Sequence, residues 1–209
     1  MSVKAHEAYC LDSAQDRLLF YDDFLGDSLR DLWAVSGTGS AAVVDAQDGG
    51  IVRVTSGATS GNQYLLNWGT IRTLHVNKKV TLEVRAKYSS GSELDTAIRL
   101  RYDANNHVSF FYDRAAPGHW VIVCRNDTLT SAPDSGVLID TDYHIYRIEC
   151  FPTGEVHFYI DGTECANSPI TTNIPSDAGD YLEVYFEIET SEDVAKSMDI
   201  DYVVIRQDR

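Results

Sequence analysis

The fold of this chain turns on YLEVYFEIE, residues 181–189. Leu182, Val184, Phe186 and Ile188 alternate with Glu183, Tyr185, Glu187 and Glu189. A helix advances about 100° per residue and would spread these apolar positions around its circumference, whereas a strand sends successive side chains to opposite faces. The same period recurs in TLEVRAKY (81–88), where Leu82, Val84, Ala86 and Tyr88 oppose Glu83, Arg85 and Lys87. It recurs again in TAIRLRY (96–102), where Thr96, Ile98, Leu100 and Tyr102 oppose Arg99 and Arg101. Each strand is therefore expected to carry one core face and one wet face, as antiparallel sheets do. Turn-forming clusters punctuate these runs: DGG at 48–50, SSGS at 89–92, DANN at 103–106, APG at 116–118, PTG at 152–154 and DG at 161–162. Beyond a short turn around Asp27 to Trp33, nothing carries a helical period. Many short strands with regular turns predict an all-β fold, an antiparallel β-sandwich of jelly-roll type.

Composition bounds what such a domain does. The chain has 209 residues, of which 44% are hydrophobic, enough for one sizeable core. Its formal charge of −15 repels nucleic acid and anionic membranes, so neither is an expected partner. No apolar run approaches the roughly 18 residues of a membrane-spanning helix, which argues against membrane insertion. MSVKAHEAYCLDSAQD, at the N-terminus, lacks the apolar centre of a secretory signal, so synthesis and folding in a cytoplasm are expected. Cys10, Cys124, Cys150 and Cys165 form no CxxC pair; buried, reduced thiols are expected rather than a zinc site. Residues 1–18 are polar and lack alternation, so they read as an N-terminal arm preceding a sandwich domain over residues 19–209.

Four segments resemble the concanavalin A-like lectin/glucanase superfamily, in particular its laminarinase-like glycoside hydrolases. FYDDFLGDSLRDLW (20–33) is similar to the family's opening Asp-Phe, Gly and Trp pattern, and VTLEVRAK (80–87) to its EaRiK strand. YHIYRIECFPTGEVHFYIDGTE (143–164) resembles its hairpin ending in Tyr-x-Asp-Gly, and SMDIDYVVIRQ (197–207) its closing strand. The resemblance implies a concanavalin A-like jelly roll from residue 20 onward. The family's catalytic strand carries Glu-x-Asp-x-x-Glu or a close variant. Here Glu93 and Asp95 have the right spacing, but Ala97, Ile98 and Arg99 follow and no second glutamate does. Retaining hydrolysis needs two carboxyls about 5–5.5 Å apart, and a guanidinium does not release a proton at working pH. No catalytic residue is assigned, and no enzymatic activity is expected. The resemblance also implies a structural Ca²⁺, with Asp201 as the carboxylate ligand and Gly50 as a carbonyl ligand. Calcium takes about six to eight oxygens, and a role for Asp201 in hydrogen bonding to backbone competes with that reading. No other cofactor is expected.

Glu183, Glu187 and Glu189 share a face with Tyr185. Arg85, Lys87, Arg99 and Arg101 are expected on adjacent strands of the same sheet, which makes a cross-strand charge ladder the economical reading. If this face meets a glycan, Tyr185, Glu187, Arg99 and Arg101 are the candidate contacts, with Phe111 as a further aromatic. Trp33, Trp68 and Trp120 are expected in or beside the core. His144 is expected in the core with Tyr146, Ile148 and Cys150, while His107, His119 and His157 are isolated in sequence.

The whole chain, including DDFLGD, GIVRVTSGATSGN, LNWGTIRTL and DIDYVVIRQDR, also resembles tailed-phage virion proteins of concanavalin A-like fold. The resemblance implies a non-catalytic head decoration protein or fibre domain, made in the host cytoplasm. Its partner would be a capsid or other virion protein, with homo-oligomerisation and cell-surface glycan contact also implied. Val3, Tyr9, Leu11 and Leu18 are then the apolar anchors of an assembly arm. A free lectin-like carbohydrate-binding module is the alternative, and a glycan-cleaving enzyme ranks third.

Overall fold

Sixteen strands account for the regular structure of the computed structural model, which describes residues 17–46, 49–69, 71–114, 118–176, 179 and 181–208. In chain order they are β1 (Arg17–Asp22), β2 (Ala34–Gly37), β3 (Gly39–Ala46), β4 (Gly49–Ser56), β5 (Gln63–Asn67), β6 (Val80–Tyr88), β7 (Leu94–Arg101) and β8 (His107–Tyr112). There follow β9 (His119–Asn126), β10 (Leu129–Ser131), β11 (Asp134–Leu138), β12 (His144–Phe151), β13 (Glu155–Ile160), β14 (Thr163–Glu164), β15 (Glu183–Thr190) and β16 (Ser197–Asp208). All pairings are antiparallel, as the alternating pattern requires. One sheet, A, runs β14-β13-β12-β6-β16-β4-β3 with β1 also on β16; the other, B, runs β10-β9-β8-β7-β15-β5-β2 with β11 also on β9.

The opening and closing segments meet on β16. Its first residues, Ser197–Ile200, pair with β4, and its later ones, Val203–Asp208, pair with β1. Asp22 ends β1 with its side chain fully buried. It accepts the indole N–H of Trp33 at 2.8 Å and the backbone N–H of Phe24 at 3.0 Å, and Arg30 lies 3.4 Å away. Those bonds explain the opening pattern physically: the aspartate holds a turn in which Phe24 adopts a φ of 52°, and the turn delivers Trp33 to the core. The carbonyl of Phe24 in turn lies against Gly50, where a Cβ would come within 1.9 Å of it.

Apolar positions of the two inner faces make one core. Trp33 and Trp68 pack with Phe20, Phe24 and Phe186, while Trp120 gathers Tyr88, Phe110, Tyr112 and Tyr146. All three tryptophans are thus in the core, as expected. Each large side chain buried in this way contributes about 1.5–3 kcal/mol of transfer free energy.

Four expectations change. The sheet begins at Arg17, so residues 17 and 18 belong to β1 by backbone pairing, and Leu18 sits opposite Gln207; Val3, Tyr9 and Leu11 lie outside the described residues. Arg85 and Lys87 do not join the glutamates of β15, because β6 pairs with β16 in the opposite sheet. There Arg85 pairs with Asp201 and Lys87 with Asp199, which Arg53 also holds at 2.7 and 2.8 Å. Alternation reports a face of a strand but not which sheet the strand joins. His144 is not a core residue: the histidine shares a parity with Tyr146, but it lies at the end of β12, where Asp140 and Asp161 bind its two ring nitrogens at 2.9 and 2.5 Å. Finally, the second face of sheet B is not wet. Glu183, Tyr185, Glu187, His107, Ser109 and Val123 all point away from the core, yet all are buried. Long polar and aromatic side chains on neighbouring strands cover one another there.

Candidate functional site

That second face of sheet B concentrates the chemistry of the molecule. Its floor is β15, whose Glu183, Tyr185, Glu187 and Glu189 stand opposite Arg101, Arg99, Ala97 and Asp95 of β7. On the far side of β7, the register places Phe111 beside Ala97, Ser109 beside Arg99 and His107 beside Arg101. The next strand, β9, brings Val121, Val123 and Arg125 against those three. On the other flank, β5 brings Asn67 beside Tyr185, Leu65 beside Glu187 and Gln63 beside Glu189.

The four residues proposed from the sequence as glycan contacts come together here. Arg99 reaches Glu187 at 3.0 Å, and the side-chain amide of Gln63 donates to the same carboxylate at 2.6 Å. Arg101 lies over the Tyr185 ring with its guanidinium 4.1 Å from the centroid, and Arg99 approaches the same ring at 5.6 Å. Tyr185 consequently does not offer an open ring to solvent: it is 5% exposed, and burial first, then Glu187, raises its pKa. The expected charge ladder between β7 and β15 is present, built as a cation–π and ion-pair layer rather than as solvated charges.

Charge is segregated across this face. Towards β15 lie Glu183, Glu187, Glu189 and Asp95. Burial raises the Glu183 carboxyl, opposed by Arg72 and Arg101. Burial and repulsion from Asp95 and Glu187 raise Glu189. Asp95 is held by the backbone N–H of Arg114 at 2.9 Å and by its guanidinium at 3.6 Å. Towards β9 lie Arg99, Arg101 and Arg125, with His107 among them. Burial, then Arg99, Arg125 and Arg101, lowers the His107 pKa to about 3, so its imidazole is neutral. Burial likewise lowers the pKa of Arg99, offset in part by Glu187. A hollow of about 480 Å³ opens at this cationic side, lined among others by Arg99, His107, Phe111, Val121, Val123 and Arg125.

The Glu93–Asp95 pair does not form the side-by-side carboxylates of a catalytic strand. Glu93 precedes β7 with a φ of 56°, which breaks the alternation before it starts, and its carboxylate accepts the Ser191 hydroxyl at 3.0 Å. Asp201 is the extra residue of a bulge in β16, where the register to β6 shifts between Ile200 and Tyr202, and its carboxylate is paired with Arg85. Gly50 stands opposite Asp45 and against the Phe24 carbonyl. Among the described residues no three His, Cys, Asp or Glu side chains converge as a metal site, and the Asp201 carboxylate pairs with the Arg85 guanidinium.

Arg125, His107 and Gln63 belong to this site and were not singled out from the sequence. The available signal was parity: His107, Ser109 and Phe111 alternate along HVSFFY, as Val121, Val123 and Arg125 do along HWVIVCRN. What parity could not supply was the register that sets these runs beside β7.

No protein-family profile and no curated protein sequence matches the chain. Solved structures do match its fold. A protein of unknown function from Shewanella oneidensis MR-1 aligns with a TM-score of 0.67 at 11% identity, over 93% of this chain and 87% of that one. An immunostimulatory antigen and pseudo β-1,3-glucanase of Mycobacterium tuberculosis aligns with a TM-score of 0.65 at 17% identity, over 91% and 98%. A carbohydrate esterase from the Shiga toxin-encoding bacteriophage phi24B aligns with a TM-score of 0.56 at 17% identity, over 85% and 90%. At these identities the likeness is one of fold: the chain is an all-β, antiparallel sandwich of the concanavalin A-like, glucanase-like kind.

Proposed function

We propose that this chain is a non-catalytic glycan-binding sandwich that serves as a structural part of a virion, as a head decoration protein or fibre domain. The observation that carries the glycan-binding half is the open hollow beside a preorganised layer of arginine, carboxylate and aromatic side chains on sheet B. Oriented polar groups beside an apolar wall are what a saccharide, with its hydroxyls and its C–H faces, requires. The fold, shared with carbohydrate-acting proteins and with a bacteriophage protein, supports the same reading. The virion half rests on the chain-wide resemblance to tailed-phage proteins and on the polar N-terminal stretch as an attachment element. An extended segment adds backbone hydrogen bonds to a partner's sheet edge, and weak arms act strongly in multiple copies.

Two measurements test these halves separately. A glycan array probed with the full chain should return bound saccharides that compete at the sheet B hollow; silence across the array defeats the binding half. Deleting residues 1–16 should leave thermal unfolding nearly unchanged and abolish incorporation into particles or homo-oligomers; normal assembly of the truncated chain defeats the arm as attachment element.

One observation favours a second reading, a glycan-cleaving enzyme. Asp95 and Glu189 are direct cross-strand neighbours, and such pairs have Cβ atoms about 4.5–5.5 Å apart. Glu189, raised in pKa, is a chemically reasonable proton donor, and Asp95 a reasonable nucleophile. Laminarin, lichenan, agarose and carrageenan are expected to stay intact on prolonged incubation. Reducing ends that appear, and then vanish in Glu189→Gln, would replace the non-catalytic proposal with this one.

A further inference from the structure

We infer that the hollow between β7, β8, β9 and β10 is an anion-recognising subsite, in which Arg125 and Arg99 receive a carboxylate or sulfate of an acidic saccharide while its ring lies against Phe111 and Val121. The inference deepens the glycan-binding proposal and rests on it for the saccharide, though not for the anion.

Four observations converge. First, the protein carries a formal charge of −15, yet three guanidiniums occupy one small area, on β7 and β9 to either side of β8. Second, their charge is incompletely answered. Glu187 pairs with Arg99, whereas among the described residues neither Arg101 nor Arg125 has a carboxylate within ion-pair distance. Arg101 is instead occupied by the Tyr185 ring, and the Arg125 guanidinium makes a long 3.4 Å bond to the Asp127 carbonyl. Third, the Nε atoms of Arg99 and Arg101 are buried without a hydrogen-bond partner among the described residues. A buried donor left in this state costs about 1–3 kcal/mol, so these side chains are held in place by the fold against their own preference. Fourth, the volume of about 480 Å³ falls within the range of about 300–1,000 Å³ typical of small-ligand clefts. Burial first, and the three arginines after it, keep His107 neutral, which leaves the positive charge to the arginines alone.

Guanidinium groups recognise carboxylate and sulfate oxygens in forked, charge-assisted pairs, about twice as strong as neutral hydrogen bonds. Most of the remaining lining is apolar: Phe111 and Val121 face the hollow beside the arginines, a surface suited to the C–H face of a sugar ring, with Thr130 and Asp113 as further polar groups. Asp113 in the lining, Asp103 near His107 and the acidic half of the face limit what enters. The net charge of −15 and the acidic half of this face oppose the approach of a densely charged polyanion. The ligand is therefore a saccharide with an isolated acidic group, not a continuous polyanion.

The test uses the full chain and three probes of one trisaccharide scaffold: bearing a single glucuronic acid, with that carboxylate reduced to an alcohol, and with a single sulfate in its place. Titration calorimetry should show the acidic forms binding at least about tenfold more tightly than the reduced form. The sulfate-to-carboxylate ratio then identifies which anion the geometry prefers. Arg125→Gln should erase the preference, bringing the acidic and reduced forms to equal affinity. Glu187→Gln, which frees Arg99 from its internal partner, should strengthen binding of the acidic forms several-fold. Sodium glucuronate and sodium sulfate are titrated alone, read by NMR at the His107 and Phe111 rings. Anions that shift these rings in the wild type but not in Arg125→Gln establish the subsite even if no trisaccharide binds, in which case only the glycan reading falls. Equal affinity for acidic and reduced trisaccharides, or an Arg125→Gln chain that keeps the preference, overturns the subsite and leaves the glycan reading standing. Silent rings with both anions overturn it as well.

Discussion

Breaking the pair between Arg99 and Glu187 measures how far the layer on sheet B is structural. The two charges stand 3.0 Å apart with side chains 13% and 11% exposed. At an effective dielectric of about 20, their attraction is on the order of 5–6 kcal/mol, from which the cost of drying both groups is subtracted. Removing one partner leaves the other charge buried and unpaired, which costs about 3–5 kcal/mol. Glu187→Leu strands a guanidinium beside Arg101 and Arg125. Arg99→Met strands a carboxylate held only by the Gln63 amide. Each single variant should lose about 3–4 kcal/mol in urea unfolding, and for a chain of this length each should melt about 10 °C lower. The double variant buries two apolar side chains instead and should recover to within about 1 kcal/mol of the parent. The resulting coupling, the two single losses less what the double variant loses, is about 5–8 kcal/mol, well above the error of a double-mutant cycle. Single variants that each lose under about 1 kcal/mol, with no coupling between them, would refute the assignment of this pair as a buried, structure-bearing one.

Three further outcomes follow from other parts of the molecule. Asp22→Ala removes the acceptor of the Trp33 indole and the Phe24 amide and should cost about 2–4 kcal/mol. Asp22→Asn, which keeps one acceptor oxygen, should recover about half of that by urea midpoint; equal losses for the two would show that those bonds do not set the turn. For His144, burial pulls the imidazole pKa down, but hydrogen bonds to Asp161 and Asp140 outweigh it and the net shift is upward from 6.5. A raised folded-state pKa means that the stabilisation is complete below about 6.5 and is lost as pH rises through the folded value. Urea midpoints should therefore fall from about pH 6 to about pH 8 in the parent, with that slope missing in His144→Gln; a slope surviving the substitution assigns it elsewhere. Cys124, Cys150 and Cys165 are buried free thiols, and burial pushes Cys150 and Cys165 up to about 12. A disulfide-exchange reagent should leave these three untouched in the native chain and titrate all four cysteines once the chain is unfolded without reductant; fast labelling of Cys150 in the native state would contradict the burial.

Strand existence was legible from local pattern wherever one face met the core. Leu182, Val184, Phe186 and Ile188 alternate because β15 buries one face in the sandwich, and TLEVRAKY and TAIRLRY follow the same rule for β6 and β7. The turn clusters at 89–92, 103–106, 152–154 and 161–162 separate strands for an equally local reason, since their residues tolerate the tight backbone that joins antiparallel partners. The resemblance of FYDDFLGDSLRDLW to a known opening pattern marked the segment that contains Asp22 and Trp33, and the structure shows that Asp22 is the aspartate bonded to the Trp33 indole.

The site was legible only in part, and the boundary is physical. Tyr185, Glu187, Arg99 and Arg101 could be grouped because β7 and β15 each carry a recognisable polar parity. Arg85 and Lys87 carry the same parity and went to the other sheet. Glu93 has the spacing of a catalytic carboxylate and lost it to a single left-handed residue before β7. Sequence by itself determined that strands form, which side chains of each strand share a face, and that the whole is acidic. Tertiary structure decided which strands are neighbours, and so that Arg125 and His107 stand beside Arg99. It also decided that a polar face is buried by its own side chains, and that a cationic hollow exists on a protein of charge −15. Strand pairing is a long-range choice, made by how two apolar faces pack together, and the polar faces receive their neighbours as a consequence of it.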